Sequence, residues 1–181
     1  YEVVVPRTLS ATMRITAGAS RGKHAIYPLW PASVRANTTP ADGIEGRLVY
    51  VGQGKLEQLL PRSLPGQIAV MEMAGSGEWQ TVANFGPSAI ILLGSDSEGR
   101  QDAQAHLARL PLNMPRFYIP AGPLADALRR ELAPQAEVLR KAGELPPDQA
   151  TVARLDCRVE FFSCTAENYY VLVPPAKPTA R

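Results

Sequence analysis

The chain is poor in the residues that carry most metal and nucleophile chemistry: its 181 residues include two cysteines and two histidines. A structural zinc site draws four N or S ligands at set spacings. Cys157, Cys164, His24 and His106 supply four such groups, but their separations fit no ligand pattern. Buried thiols or one disulfide are the simpler reading. Seven positions apart, the cysteines fall on opposite faces of a straight strand, so a disulfide would require a bulge or bend. Long apolar runs are also missing. Nothing approaches the roughly 20 residues that cross a bilayer as a helix, so no membrane partner is expected. Nor is there an excess of charge: 19 Lys and Arg against 17 Asp and Glu leave +2. A phosphate-binding surface needs clustered cations, and here they are scattered, so no nucleic-acid partner is expected. The densest basic spot, Arg129-Arg130, reads as a solvated helix face. The zincin HExxH, the nucleophile elbow G-x-S-x-G and the Walker loop are all absent. No signal peptide is visible, and the first residue is Tyr1. The chain is therefore expected to be a piece of a longer protein.

What is present is a chain able to bury a normal core, with 45% apolar and 20% charged residues. Residues 1–43 read as an irregular, strand-rich approach interrupted by Pro6, Pro28, Pro31 and Pro40, with strand candidates at 9–16 and 26–30. From Ile44 the signal sharpens. Leu48-Val49-Tyr50-Val51 is a β-branched and aromatic run stopped by Gly52-Gln53-Gly54. Residues 67–73 read as a second strand, turned by Gly75-Ser76-Gly77. Trp79, Val82, Ala83 and Gly86 then recur at helical spacing. Residues 89–93 are uninterruptedly apolar, as in a strand covered on both faces. Strand, helix and strand make a βαβ unit with a right-handed crossover. Ser95 and Glu98 have capping-box spacing ahead of a helix carrying Ala103, Leu107 and Leu110. Residues 116–119 form another short strand. Residues 123–132 form an amphipathic helix, and 135–142 a second one ending at Gly143. Residues 153–161 alternate strictly, with one buried and one wet face, and 168–173 read as a last strand. The expected class is α/β: an open, barrel-like mixed sheet flanked by helices.

The candidates for chemistry are few. Asp96, Glu98 and Asp102 are close enough in sequence to bind a cation, but acidic residues at a helix start complement its dipole. His24 reads as a solvated loop residue and His106 as a boundary residue of a helix. Asn37-Thr38-Thr39 fits a glycosylation acceptor. A nucleophile role for Cys164, flanked by Ser163, Thr165 and Glu167, has no histidine near it in sequence. Gly52-Gln53-Gly54 and Gly75-Ser76-Gly77 lack the third glycine of a dinucleotide site and read as turns. If the chain has a peptide- or partner-binding surface, the loops at Gly52, Gln53 and Gly54, at Gly75, Ser76 and Gly77, and at Ser95 and Asp96 are its candidates, because function favours loops on a rigid scaffold. No catalytic, cofactor-binding or metal-ligating residue is assigned.

The order of these features resembles the protease-associated domain. The likeness covers about 80 residues. A short strand runs into a glycine turn (Leu48-Val49-Tyr50-Val51-Gly52-Gln53-Gly54). A glycine-led strand follows (Pro65-Gly66-Gln67-Ile68-Ala69-Val70-Met71), then the helix from Trp79 to Gly86, then Gly86-Pro87-Ser88-Ala89-Ile90-Ile91-Leu92. Met114 to Pro120 precedes a Leu-rich helix. Thr165 to Pro174 is similar to the segment leading into the catalytic domain in zinc aminopeptidases and in relatives of glutamate carboxypeptidase and the transferrin receptor. The sequence departs from the pattern at Gly86-Pro87, where Gly-Ala is usual, and in a helical insertion near 133–149. The resemblance implies a protease-associated domain over residues 44–173, with 1–43 part of the same unit and 174–181 a linker toward an absent catalytic domain. It implies a non-catalytic module of a secreted, periplasmic or extracellular zinc peptidase, with zinc held in the missing domain. Its partners would be a peptide, a protein, or the peptidase domain of the same chain. A swivelling domain of another enzyme and a stand-alone sorting or cargo-binding module are the alternatives.

Overall fold

A computed structural model describes residues 1–29, 38–59, 64–95, 114–143 and 145–167. Asp96, Glu98, Asp102 and His106, the helix expected after Ser95, the strand expected at 168–173 and the tail at 174–181 lie outside these residues.

Eight strands form one mixed sheet that is not closed: β1 (Glu2–Ala17), β2 (Gly22–Ala25), β3 (Tyr27–Pro28), β4 (Ile44–Tyr50), β5 (Ile68–Glu72), β6 (Ala89–Leu93), β7 (Arg116–Ile119) and β8 (Val152–Thr165). Their order is β2-β1-β8-β4-β5-β6-β7-β3. The four central strands β4 to β7 run parallel, and the flanking pairs are antiparallel. The opposite edges β2 and β3 are separated in sequence by Ile26 alone, and Ile26 N–H donates to Ala11 O at 3.4 Å. The sheet therefore curls until its edges come near each other, which is the expected open barrel.

Alternation along the central strands builds two cores. Ile68 and Val70, Ala89, Ile91 and Leu93 face one side with Phe117 and Ile119. Ala69 and Met71, Ile90 and Leu92 face the other with Tyr118. All these positions are buried, so the continuous apolar runs of β5 and β6 follow from burial of both faces. The first core is completed by Leu128 and Leu132 of α3 (Pro123–Ala142), and the second by Leu59 of α1 (Leu56–Leu59) with Trp79 and Val82 of α2 (Trp79–Asn84). Arg116 lies over the Trp79 ring, its guanidinium carbon 4.2 Å from the ring centroid, and burial pushes its pKa down to about 10.

Three elements differ from the sequence expectation. The two helices expected at 123–132 and 135–142 are one helix of 20 residues, with Pro134 inside it and Gly143 at φ 79° closing it through a bond to Leu139 O. Gly75-Ser76-Gly77 is not a simple turn but the middle of a 3-10 helix, Met73–Glu78, leading into α2. The first strand is far longer than 9–16. Its register against β8 shifts between Thr8 and Ser10, an irregularity that obscures the period of two in the sequence.

Beyond the reach of β2 and β4, β1 and β8 continue together as a two-stranded ribbon. Glu2 pairs with Thr165, Val4 with Ser163 and Pro6 with Phe161. Tyr1 and Ala166 exchange backbone hydrogen bonds of 3.1 and 2.9 Å, so both strands reach the same end of the molecule.

Candidate functional site

The three candidate loops share one end of the sheet. Gly52-Gln53-Gly54 follows β4, Gly75-Ser76-Gly77 follows β5, and Ser95 follows β6. Open parallel sheets place their ligand crevices at the carboxyl ends of their strands, which is where these loops stand. Asp96 lies outside the described residues.

Two of the loops pack against each other. A Cβ on Gly75 would sit 2.5 Å from Gln53 Cα, so only glycine permits this approach. Gly54, at φ +78°, would drive a Cβ to 2.8 Å from Val82. The first loop is pinned further: Glu72 N–H donates to Gly52 O at 2.7 Å, and Gln53 and Lys55 N–H both donate to Gln58 Oε1, at 3.0 and 3.3 Å. The glycines thus set a compact, rigid rim.

Beneath the rim lies a polar network that the sequence reading missed. Tyr50 hydroxyl donates to Glu72 Oε1 at 2.7 Å. Arg129 of α3 grips Glu72 with its Nε (2.9 and 3.1 Å) and Nη2 (2.7 Å). It also donates to Gly94 O at 2.8 Å and to Asp126 at 3.1 Å. Charge-assisted, two-pronged bonds of this kind fix geometry as well as energy. Burial, followed by the hydrogen bond and charge of Glu72, pushes the Tyr50 phenol well above its usual pKa, so it stays a neutral donor. Arg129 is therefore not on a solvated helix face as expected; it ties α3 to the ends of β5 and β6. The partners are 57 positions apart, which hides the pair from any local pattern.

The remaining candidates are dispersed. His24, expected in a solvated loop, is instead a half-buried residue of β2, its Nε2 3.0 Å from Ser20 O. Both cysteines are free thiols; Cys157 is buried in the first core, and burial raises its pKa to about 11. Thr39 of the Asn37 triplet is taken up structurally. Its backbone N–H donates to Cys157 O at 2.9 Å, and its hydroxyl accepts from Cys157 N–H at 3.0 Å. Among the described residues no three His, Cys, Asp or Glu side chains gather into a metal site.

No family model matches the chain, and no curated protein matches it by sequence. Solved structures do. The chain shares its fold with part of a solved peptidase chain. A peptidase M28 precursor from Shewanella amazonensis SB2B superposes with a TM-score of 0.52 at 18% identity, over 90% of this chain and 37% of that one. An aminopeptidase from Aneurinibacillus sp. strain AM-1 gives 0.48 and 17%, over 90% and 36%. A zinc aminopeptidase from Bacillus subtilis gives 0.48 and 13%, over 88% and 33%. The chain spans about a third of the length of these enzymes, and at such identities the likeness is one of fold.

Proposed function

We propose that this chain is a non-catalytic, protease-associated domain of a larger zinc peptidase, where it modulates substrate access or binds peptide and protein partners. The observation that carries this reading is the β1–β8 ribbon. Tyr1, Val4, Phe161 and Phe162 are 66, 68, 56 and 43% exposed on it; among the described residues no third strand joins it, and a two-stranded ribbon by itself is marginal in water. An apolar ribbon reached by both strands suits a unit anchored at one end to a neighbouring domain. The fold shared with about a third of a peptidase chain supports the same reading. Zinc and the hydrolytic residues would then belong to the remainder of the peptidase, in a secreted, periplasmic or extracellular setting. No described helix is long and apolar enough to cross a membrane. The glycine-built rim over Tyr50, Glu72 and Arg129 would be the face presented to peptide or protein.

The reading is tested by incubating the purified chain with aminopeptidase and endopeptidase substrates, with and without added zinc. No turnover above buffer is expected in either condition. Turnover abolished by a chelator would overturn it.

A further inference from the structure

Charge is distributed unevenly along the chain. No Asp or Glu occurs between Glu2 and Asp42, whereas Arg7, Arg14, Arg21, Lys23 and Arg35 do. That stretch carries +5, and the rest of the chain, with 14 Lys and Arg against 17 Asp and Glu, carries −3. Arg35 lies outside the described residues. Such an asymmetry bears on partners and not on fold.

The fold gathers three of these cations on the β1–β2 hairpin. Met13 and Ile15 are buried in the first core, so Arg14 between them stands on the opposite, wet face of the sheet. Lys23 of β2 is its direct partner in register, and Arg154 of β8 is its direct partner on the other side. The three form one row across adjacent strands, which are spaced about 4.8 Å apart. Arg21 stands in the turn just before β2. Arg14, Arg21 and Lys23 are exposed, and none forms an ion pair among the described residues. Glu131 holds the turn against α3 through Ala19 and Ser20 N–H, at 2.8 and 2.9 Å, so the hairpin is a fixed platform.

Like charges directly opposite each other destabilise a sheet. A lysine on the edge strand β2 deters edge pairing by itself; Arg14 opposite it adds charge which that role does not need. Carboxylates border the row on one side. Asp156 accepts from Arg154 at 3.2 Å, and Glu45 of β4 pairs with Arg154 in register. Charge is therefore balanced toward β8 and β4 and left in excess on the hairpin.

We propose that the hairpin face bearing Arg14, Arg21 and Lys23 docks an acidic segment of a partner protein. The partner's carboxylates lie over Lys23, Arg14 and Arg21, and Asp156 and Glu45 set the limit of the surface. Those two acids repel a continuous polyanion crossing the sheet, which favours a protein segment with a few carboxylates. The row is level with the amino end of β4, whereas the glycine-built rim follows its carboxyl end. The two surfaces share no residue, and this proposal does not rest on the reading above.

The test is an amide-resolved NMR titration of the 181-residue chain at low salt. The probes are capped octapeptides that alternate alanine with glutamate, glutamine or lysine. The glutamate peptide is expected to shift the amides of residues 13–15 and 21–24. It should bind about tenfold more tightly than the glutamine peptide, as a few weak exposed ion pairs allow. The advantage should vanish at molar salt, where charges are screened beyond about 3 Å. R14Q/K23Q should bind the glutamate peptide no better than the glutamine one. Its thermal midpoint should equal or exceed that of the unsubstituted chain, because opposed like charges are removed. R14K/K23R, which keeps both charges, should bind as the unsubstituted chain does, and so should K141Q at the exposed end of α3. Equal affinity for the glutamate and glutamine peptides, or a midpoint that falls in R14Q/K23Q, would overturn the proposal. So would a thymidine pentanucleotide of equal charge that binds the same amides as tightly, since the occupant would then be a phosphate polyanion.

Discussion

Glu131 shows what a single side chain does for this fold. Its carboxylate accepts from Ala19 N–H at 2.8 Å, from Ser20 N–H at 2.9 Å and from the buried Thr151 hydroxyl at 2.6 Å. It thus clasps the β1–β2 turn, α3 and the start of β8. Partial burial raises its pKa, but the hydrogen bonds from Ser20, Thr151 and Ala19 outweigh that, and the net value lies below the ordinary one. A carboxyl depressed in the folded state contributes stability above its unfolded pKa and loses it as pH falls through the folded value. Glu131→Gln is therefore expected to cost about 1 kcal/mol at pH 7, discounted for partial solvent exposure. The gap to the parent chain should shrink as the medium is acidified through the carboxylate range, read as urea midpoints. A gap that stays constant or widens on acidification would contradict the clasp. None of this was legible in the sequence. Glu131 stands 111 and 112 positions from its backbone donors, as remote as Glu72 is from Arg129. The glycines at 52, 54, 75 and 77 stood out in the sequence as turn residues, but the close approach of Gly75 to Gln53 was not visible there.

At the scale of elements, legibility followed burial. β5 and β6 are covered on both faces and read as unbroken apolar runs; β8 has one wet face over its core half and reads as an alternation. β1 was foreshortened because Pro6 lacks an N–H and the register shift after Thr8 breaks the period. The helix α3 was divided because proline ordinarily ends a helix. It continues because Leu128, Leu132 and Ala136 stay buried on either side of Pro134, and their packing outweighs the lost bond. Pro134 is exposed and contributes little contact in return. Pro134→Ala should therefore stabilise the chain by about 1–3 kcal/mol, restoring a helical hydrogen bond, read as an increase in thermal midpoint. An unchanged or lower midpoint would mean that proline is built into the helix geometry by its surroundings.

For the whole molecule, the two ends differ in character. At one end, glycine-built loops and an arginine–glutamate grip make a rigid, polar rim. At the other, β1 and β8 extend past every neighbouring strand and expose Val4, Phe161 and Phe162. A domain working inside a larger peptidase would present the first end and anchor by the second. Hydrogen exchange along the ribbon measures this directly, since a marginal ribbon opens locally while the core stays protected. In the isolated chain, the amides of residues 2–7 and 160–165 should exchange much faster than those of β5 and β6. In a longer peptidase chain that contains this domain, as proposed, they should become protected, with β5 and β6 unchanged. Ribbon amides that exchange at the same rate in both proteins would contradict the account.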